Sequence, residues 1–103
     1  MNPPDLKTIR ILLVDDHEVT RVGLRTILSH FPQLEVIGEA GTAAGAVQET
    51  LRLKPDVVLL DVRLPDQSGF DACRQIQQSD VDTRVLILTR SEEHTSELQS
   101  RLH

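Results

Sequence analysis

The sequence predicts an α/β domain: a parallel sheet flanked by helices, with strand and helix alternating along the chain. Three observations point there. Four short runs, at residues 9–14, 35–40, 56–60 and 84–89, are rich in leucine and β-branched residues. Three of them are nearly continuously apolar, as strands buried on both faces of a parallel sheet are. Between the runs, apolar residues recur with helical spacing. Successive β-α-β units of this kind cross over right-handed and set the strands parallel.

The elements follow in order. IRILLV at residues 9–14 reads as the first strand. From His17 to His30 an amphipathic segment carries Leu24, Ile27, Leu28 and Phe31 at i, i+3, i+4 and i+7. Pro32 cannot continue that helix. EVIGEA at 35–40 is the second strand. Ala43, Ala46, Val47 and Leu51 form the stripe of a second helix over residues 42–53, with Thr42 as its N-cap and Pro55 beyond its end. DVVLL at 56–60 is the third strand, and Phe70, Cys73 and Ile76 make a weaker helical stripe from Ser68 to about Gln78. RVLILT at 84–89 is the fourth strand. The remainder, RSEEHTSELQSRLH, is polar and without core periodicity.

Composition narrows the function classes. At 103 residues and 11.5 kDa the chain makes one domain at most. A 39% hydrophobic and 26% charged composition is that of an ordinary globular protein. The net charge of −5 argues against nonspecific nucleic-acid binding by this chain. No apolar run approaches the roughly 20 residues of a bilayer span, and MNPPDLKTIR lacks the apolar core of a secretory signal. The single cysteine, Cys73, offers neither an internal disulfide nor a zinc cluster. The expectation is a cytoplasmic chain with no membrane contact and no direct nucleic-acid contact.

The chemistry lies in carboxylates at strand ends. The first strand is followed by Asp15 and Asp16, and the third by Asp61. In open parallel sheets, ligands bind beyond the carboxyl ends of strands where the strand order reverses. In the flavodoxin-like order 2-1-3-4-5, strands one and three flank that point. Three carboxylates would converge there and repel unless a cation sat among them. Mg2+ suits an all-oxygen site that keeps room for waters and a phosphoryl group. One carboxylate could serve as a nucleophile toward phosphorus, forming an acyl phosphate. Thr89 would place a hydroxyl on the same rim. Singly, each residue has a plainer role: Asp16 as a helix cap, Asp61, Pro65, Asp66 and Gly69 as turn chemistry, Thr89 as a strand end.

These residues resemble a family. ILLVDDHEVTRVGLRTIL followed by PDVVLLDVRLPDQSGFDACRQI is similar to the receiver domain of bacterial two-component response regulators, in the subfamily with a C-terminal LuxR-type helix-turn-helix. The resemblance covers residues 8–89, with 1–7 as an N-terminal extension. It implies a flavodoxin-like (CheY-like) three-layer fold. It implies that Asp61 is the phosphoacceptor, that Asp15, Asp16, Asp61 and the backbone carbonyl of Arg63 bind Mg2+, and that Thr89 is the switch hydroxyl. Pro65 and Gly69 match the loop after the phosphoacceptor. The implied partner is a sensor histidine kinase, with homodimerisation on phosphorylation in an intact parent that carries a DNA-binding output domain. His17 reads as a helix-start residue ahead of ligand or acid–base duty, and Cys73 as a helix-face filler. Arg21, Arg25, Arg52 and Arg74 read as solvated helix faces, although kinase docking in this family often uses the first helix.

The chain departs from the family after Thr89. The family's fourth helix, fifth strand and fifth helix have no counterpart, nor has the lysine that closes the fifth strand. RSEEHTSELQS at residues 90–100 instead matches, at every position, the translated start of a common short-read sequencing adapter. Residues 90–103 are therefore expected to be adapter read-through rather than evolved protein. The alternative is a native polar helix capped by Ser91. With the first helix alone on one face and RVLILT as an exposed edge, the isolated polypeptide is expected to fold poorly or self-associate. Two other function classes compete. An aspartate-nucleophile phosphohydrolase usually has a second Asp two residues after the nucleophile, where this chain has Arg63. A phosphorylation-independent interaction module generally lacks the acidic residues present here.

Overall fold

The structure is a computed structural model, and it describes residues 7–89. The readings of 1–7 as an extension and of 90–103 as a foreign tail therefore lie, except for Lys7, outside the described residues. The elements run β1 (Ile9–Val14), α1 (Glu18–Leu28), β2 (Leu34–Ala40), α2 (Ala43–Leu53), β3 (Val57–Asp61), α3 (Gly69–Gln77) and β4 (Arg84–Leu88). All strand pairs are parallel and the sheet order is β2-β1-β3-β4. This is the parallel α/β sheet that the alternation predicts, in the strand order that the family resemblance implies.

The handedness of the crossovers assigns the helices to faces. The chain steps one way from β1 to β2 and the other way from β2 to β3 and β4. Right-handed connections therefore put α1 on one face and α2 and α3 on the other. Beneath α2 and α3 the core is closed: Leu12, Val14, Val58 and Leu60 pack with Ala43, Ala46 and Ala72, and Val85 and Ile87 of β4 join them. The α1 face is covered less well. Ile11 and Leu13 are buried, but α1 itself has no buried residue, and Leu86 is 54% exposed. Among the described residues β4 is an edge strand.

The stripes predicted for the helices hold at Ala43, Ala46 and Ile76 and need correction elsewhere. α2 buries Ala43, Ala46 and Thr50, and α3 buries Gly69, Ala72 and Ile76. Leu51, Phe70, Ile27 and Phe31 are exposed. A helix lying close on a sheet buries only its line of nearest approach, and small residues occupy that line here. Thr50 fits because its hydroxyl donates to the Ala46 carbonyl at 2.6 Å, leaving no polar atom stranded.

The helix ends are chemically closed. Thr42 caps α2, its side chain accepting from the Gly45 N–H at 2.9 Å, as predicted. At the other end Lys54 takes a left-handed conformation, φ 49°. The Arg10 guanidinium donates to the carbonyls of Leu53 and Lys54, each at 2.8 Å. A β1 residue thus satisfies carbonyls that α2 cannot satisfy itself.

Candidate functional site

The sheet order reverses direction between β1 and β3, so the carboxyl ends of these two strands form the crevice. Val14 pairs with Leu60, which brings Asp15 level with Asp61 at the top of the sheet. Both side chains are buried, whereas Asp16 is exposed. Asp15, Asp16, His17 and Asp61 each present one ligand atom, and all four atoms lie within 4.8 Å of one another. Two buried carboxylates beside a third make a strongly negative pocket. Carboxylate oxygens are the donors that Mg2+ takes, so the residues fit a hard divalent cation.

His17 is where the structure goes beyond the sequence reading. It is the N-cap residue of α1, as expected of a helix-start residue, and it displaces Asp16 from that role. Its side chain makes no cap hydrogen bond. The His17 N–H instead donates to Asp15 Oδ1 at 2.8 Å, and the ring Nδ1 lies 3.0 Å from Asp15 Oδ1 and 2.9 Å from Asp16 Oδ1. Lone helix-start histidines carry no signal of this in sequence. The direction of the ring is set by the turn out of β1.

Arg21 is not the solvated helix-face residue that its spacing suggests. Its Nε donates to Glu39 Oε1 at 2.8 Å, and its Nη1 donates to the Asp15 carbonyl. Arg25 pairs with the other Glu39 oxygen. The packing of α1 beside β2 puts Glu39 between the two arginines, a contact between segments that spacing cannot reveal. Arg52 and Arg74 do stay on helix surfaces, paired with Glu49 and Asp71 one turn away.

The β3–α3 loop is bound tightly around Asp61. Asp61 Oδ1 accepts from the Arg63 N–H at 3.3 Å, and the Gly69 N–H donates to the Val62 carbonyl at 2.7 Å. A Cβ on Gly69 would lie 2.2 Å from the Asp61 carbonyl oxygen. Glycine is needed there for the close approach of α3 to the strand end, not for its backbone angles. Ser68 caps α3, its hydroxyl accepting from the Phe70 N–H at 3.0 Å.

Asp66 has a larger role than turn chemistry. Its two carboxylate oxygens accept from the Ala43 and Ala44 N–H groups, at 2.7 and 2.9 Å. These bonds, the Ala44 one foremost, hold its carboxyl below the usual carboxylate range. The loop after Asp61 is thereby tied to the first turn of α2, where helix N–H groups favour a negative charge. Pro65 lies exposed in the same loop. Thr89 follows β4 directly. Asp61 pairs with Leu88, so Thr89 is on the same rim one residue further, and its side chain is exposed.

Comparison with known proteins agrees with this geometry. Residues 11–101 match the response regulator receiver domain family. The chain is 48% identical over 81 residues to the DNA-binding transcriptional activator DevR/DosR of Mycobacterium tuberculosis, covering 79% of this chain and 37% of that protein. It is 41% identical over 81 residues to the transcriptional regulatory protein LiaR of Bacillus subtilis, covering 79% of this chain and 38% of LiaR. The chain thus spans well under half the length of these relatives. The signal receiver domain of NarL from Mycobacterium tuberculosis superposes with a TM-score of 0.79 at 30% identity, over 93% of this chain and 77% of that one. A LuxR-family response regulator from Aurantimonas superposes with a TM-score of 0.79 at 35% identity, over 93% of this chain and 69% of that one. Receiver domains of transcriptional regulators are signalling domains, not enzymes, and no described helix is long and apolar enough to cross a membrane. The chain belongs to the response regulator receiver domain family of two-component signalling.

Proposed function

We propose that Asp61 is the phosphoacceptor and that the phosphoryl group comes from a phosphohistidine on a sensor kinase. The observation that carries this is the convergence of Asp15, Asp16 and Asp61 at the β1/β3 crevice. A carboxylate oxygen of Asp61 attacks phosphorus, the P–N bond to the kinase histidine breaks, and the imidazole leaves with the electron pair. The product is an acyl phosphate on Asp61. Asp15, Asp16, Asp61 and the Arg63 carbonyl would hold Mg2+, which when bound offsets negative charge on the transferring group. The Arg63 N–H holds the acceptor carboxylate, and Gly69 lets α3 pack against the backbone that carries it. Thr89 would donate its hydroxyl to a phosphoryl oxygen and move inward with it, passing the change to β4.

In the intact parent this event would control a DNA-binding output domain in the cytoplasm, with dimerisation on phosphorylation. That reading is supported by relatives such as DevR/DosR, itself a DNA-binding transcriptional activator. Residues 8–89 would be its receiver portion, and residues 90–103 translated adapter. Sequencing the source DNA across codons 89 and 90 tests the division. A frame continuing into further receiver elements is expected, whereas genuine codons for RSEEHTSELQS would end that reading.

The acceptor role is tested by incubating the chain with acetyl phosphate and Mg2+ and following intact mass. One phosphoryl group should appear on the wild type and none on Asp61→Asn. Equal uptake by the variant would place the acceptor elsewhere.

A further inference from the structure

We infer that His17 is itself a ligand of the cation in the acidic crevice, and that it biases the site from Mg2+ toward first-row transition divalents such as Mn2+. This rests on the reading of the crevice as a cation site. Three observations carry it. The ring does none of the work of a helix cap, because the N-cap makes no side-chain hydrogen bond. Its backbone is held beside the crevice, since the His17 N–H is bonded to Asp15 Oδ1 and the chain is extended there at φ −99°. Its Nδ1 then stands 2.9 and 3.0 Å from one oxygen each of Asp16 and Asp15, within the same 4.8 Å group as Asp61.

Without an ion these are hydrogen-bond and ion-pair distances between ring and carboxylates, and the same separations suit donors that share one cation. Donor atoms about 2.1 Å from an octahedral ion, at right angles to each other, are about 3 Å apart. A neutral imidazole can carry its proton on Nε2 and present the Nδ1 lone pair inward. The side chain is 55% exposed, so the Nε2–H can reach solvent. Oxygen donors suit both Mg2+ and Mn2+, while an added imidazole nitrogen gains little with Mg2+ and progressively more along the first-row series that begins at Mn2+. His17 is therefore a specificity-determining ligand for the ion, not a participant in phosphoryl transfer.

The test is calorimetric titration of the chain with Mg2+ alone and with Mn2+ alone, on the wild type, His17→Ala and His17→Asn. Electron spin-echo modulation of bound Mn2+ is recorded alongside. Loss of the ring should weaken Mn2+ binding by at least about tenfold, the lower end of what losing an outer partner costs a metal site. Mg2+ binding should change by less than about twofold, because Mg2+ prefers oxygen and water. Imidazole nitrogen modulation should be present in the wild type and absent from both variants. Equal effects on the two ions, or a wild type without nitrogen modulation, would overturn the role of His17 while leaving the acceptor reading intact. Failure of the wild type to bind either ion would overturn both.

Discussion

The two faces of the sheet are held by different forces. Under α2 and α3, small residues let the helices approach and a continuous apolar cluster closes. On the other face Ile11 and Leu13 are buried but α1 buries none of its own residues, and polar ties are added: Arg21 and Arg25 grip Glu39, and Arg21 reaches the Asp15 carbonyl. Leu86 and Leu88 of β4 are left exposed there. Apolar burial fixes the position of the face that carries the acceptor loop. Charge and hydrogen bonding position the helix that follows the acidic pair.

Truncating one leucine on each face separates the two modes most clearly. Leu60→Ala should cost about 2–5 kcal/mol by denaturant unfolding, since it empties space in the closed cluster. Leu86→Ala, half exposed on the other face, should change stability by no more than about 0.5 kcal/mol. Similar losses would mean that the α1 face is as well packed as its opposite.

Gly69→Ala comes next. The added methyl must push α3 off the Asp61 carbonyl, an overpacking that costs about 1–3 kcal/mol. It should also lower phosphoryl uptake from acetyl phosphate, because the acceptor backbone moves. Undiminished uptake would show that the β3–α3 turn has slack. Glu39→Gln is a milder probe of the polar face. The tie is partly screened, so the loss should be under about 1 kcal/mol and should shrink further in high salt. A large, salt-insensitive loss would point to packing instead of charge.

Asp66 gives the smallest effect, read as a slope. Its carboxyl is held below the ordinary range by the Ala44 and Ala43 N–H groups. A group whose pKa is depressed on folding stabilises the fold above its unfolded value, and that contribution disappears as pH falls through the folded value. Unfolding midpoints measured downward from neutral pH should therefore fall less steeply in Asp66→Asn. An unchanged slope would mean that the tie between the acceptor loop and α2 adds nothing to stability.

Much of the site was legible because it is local to strand ends. Asp15, Asp16 and Asp61 follow apolar runs, and a strand's last residue stays at the rim whatever packs below it. Thr89 was legible on the same ground. The inward lines of the helices were not. Phe70 and Leu51 look like core by size, yet Ile76, the alanines and Thr50 take the buried positions, since the distance between helix and sheet decides what fits. Arg21 and Asp66 were misread for a related reason: each finds its partner on another segment, along a path that periodicity does not encode. His17 stands at the helix start as read, and only its contacts with Asp15 and Asp16 were not legible.

The order of elements, the parallel sheet, and three carboxylates and a threonine on one rim follow from the pattern of residues along the chain. Hydrophobic period and the fixed hand of crossovers are properties of the chain alone. The tertiary structure decided which residue must be glycine against the Asp61 carbonyl, which carboxylate clamps the acceptor loop to α2, and that an imidazole stands among the acidic groups. Those are contacts of about 3 Å, and short-range contacts exist only once the strands and helices have been set side by side.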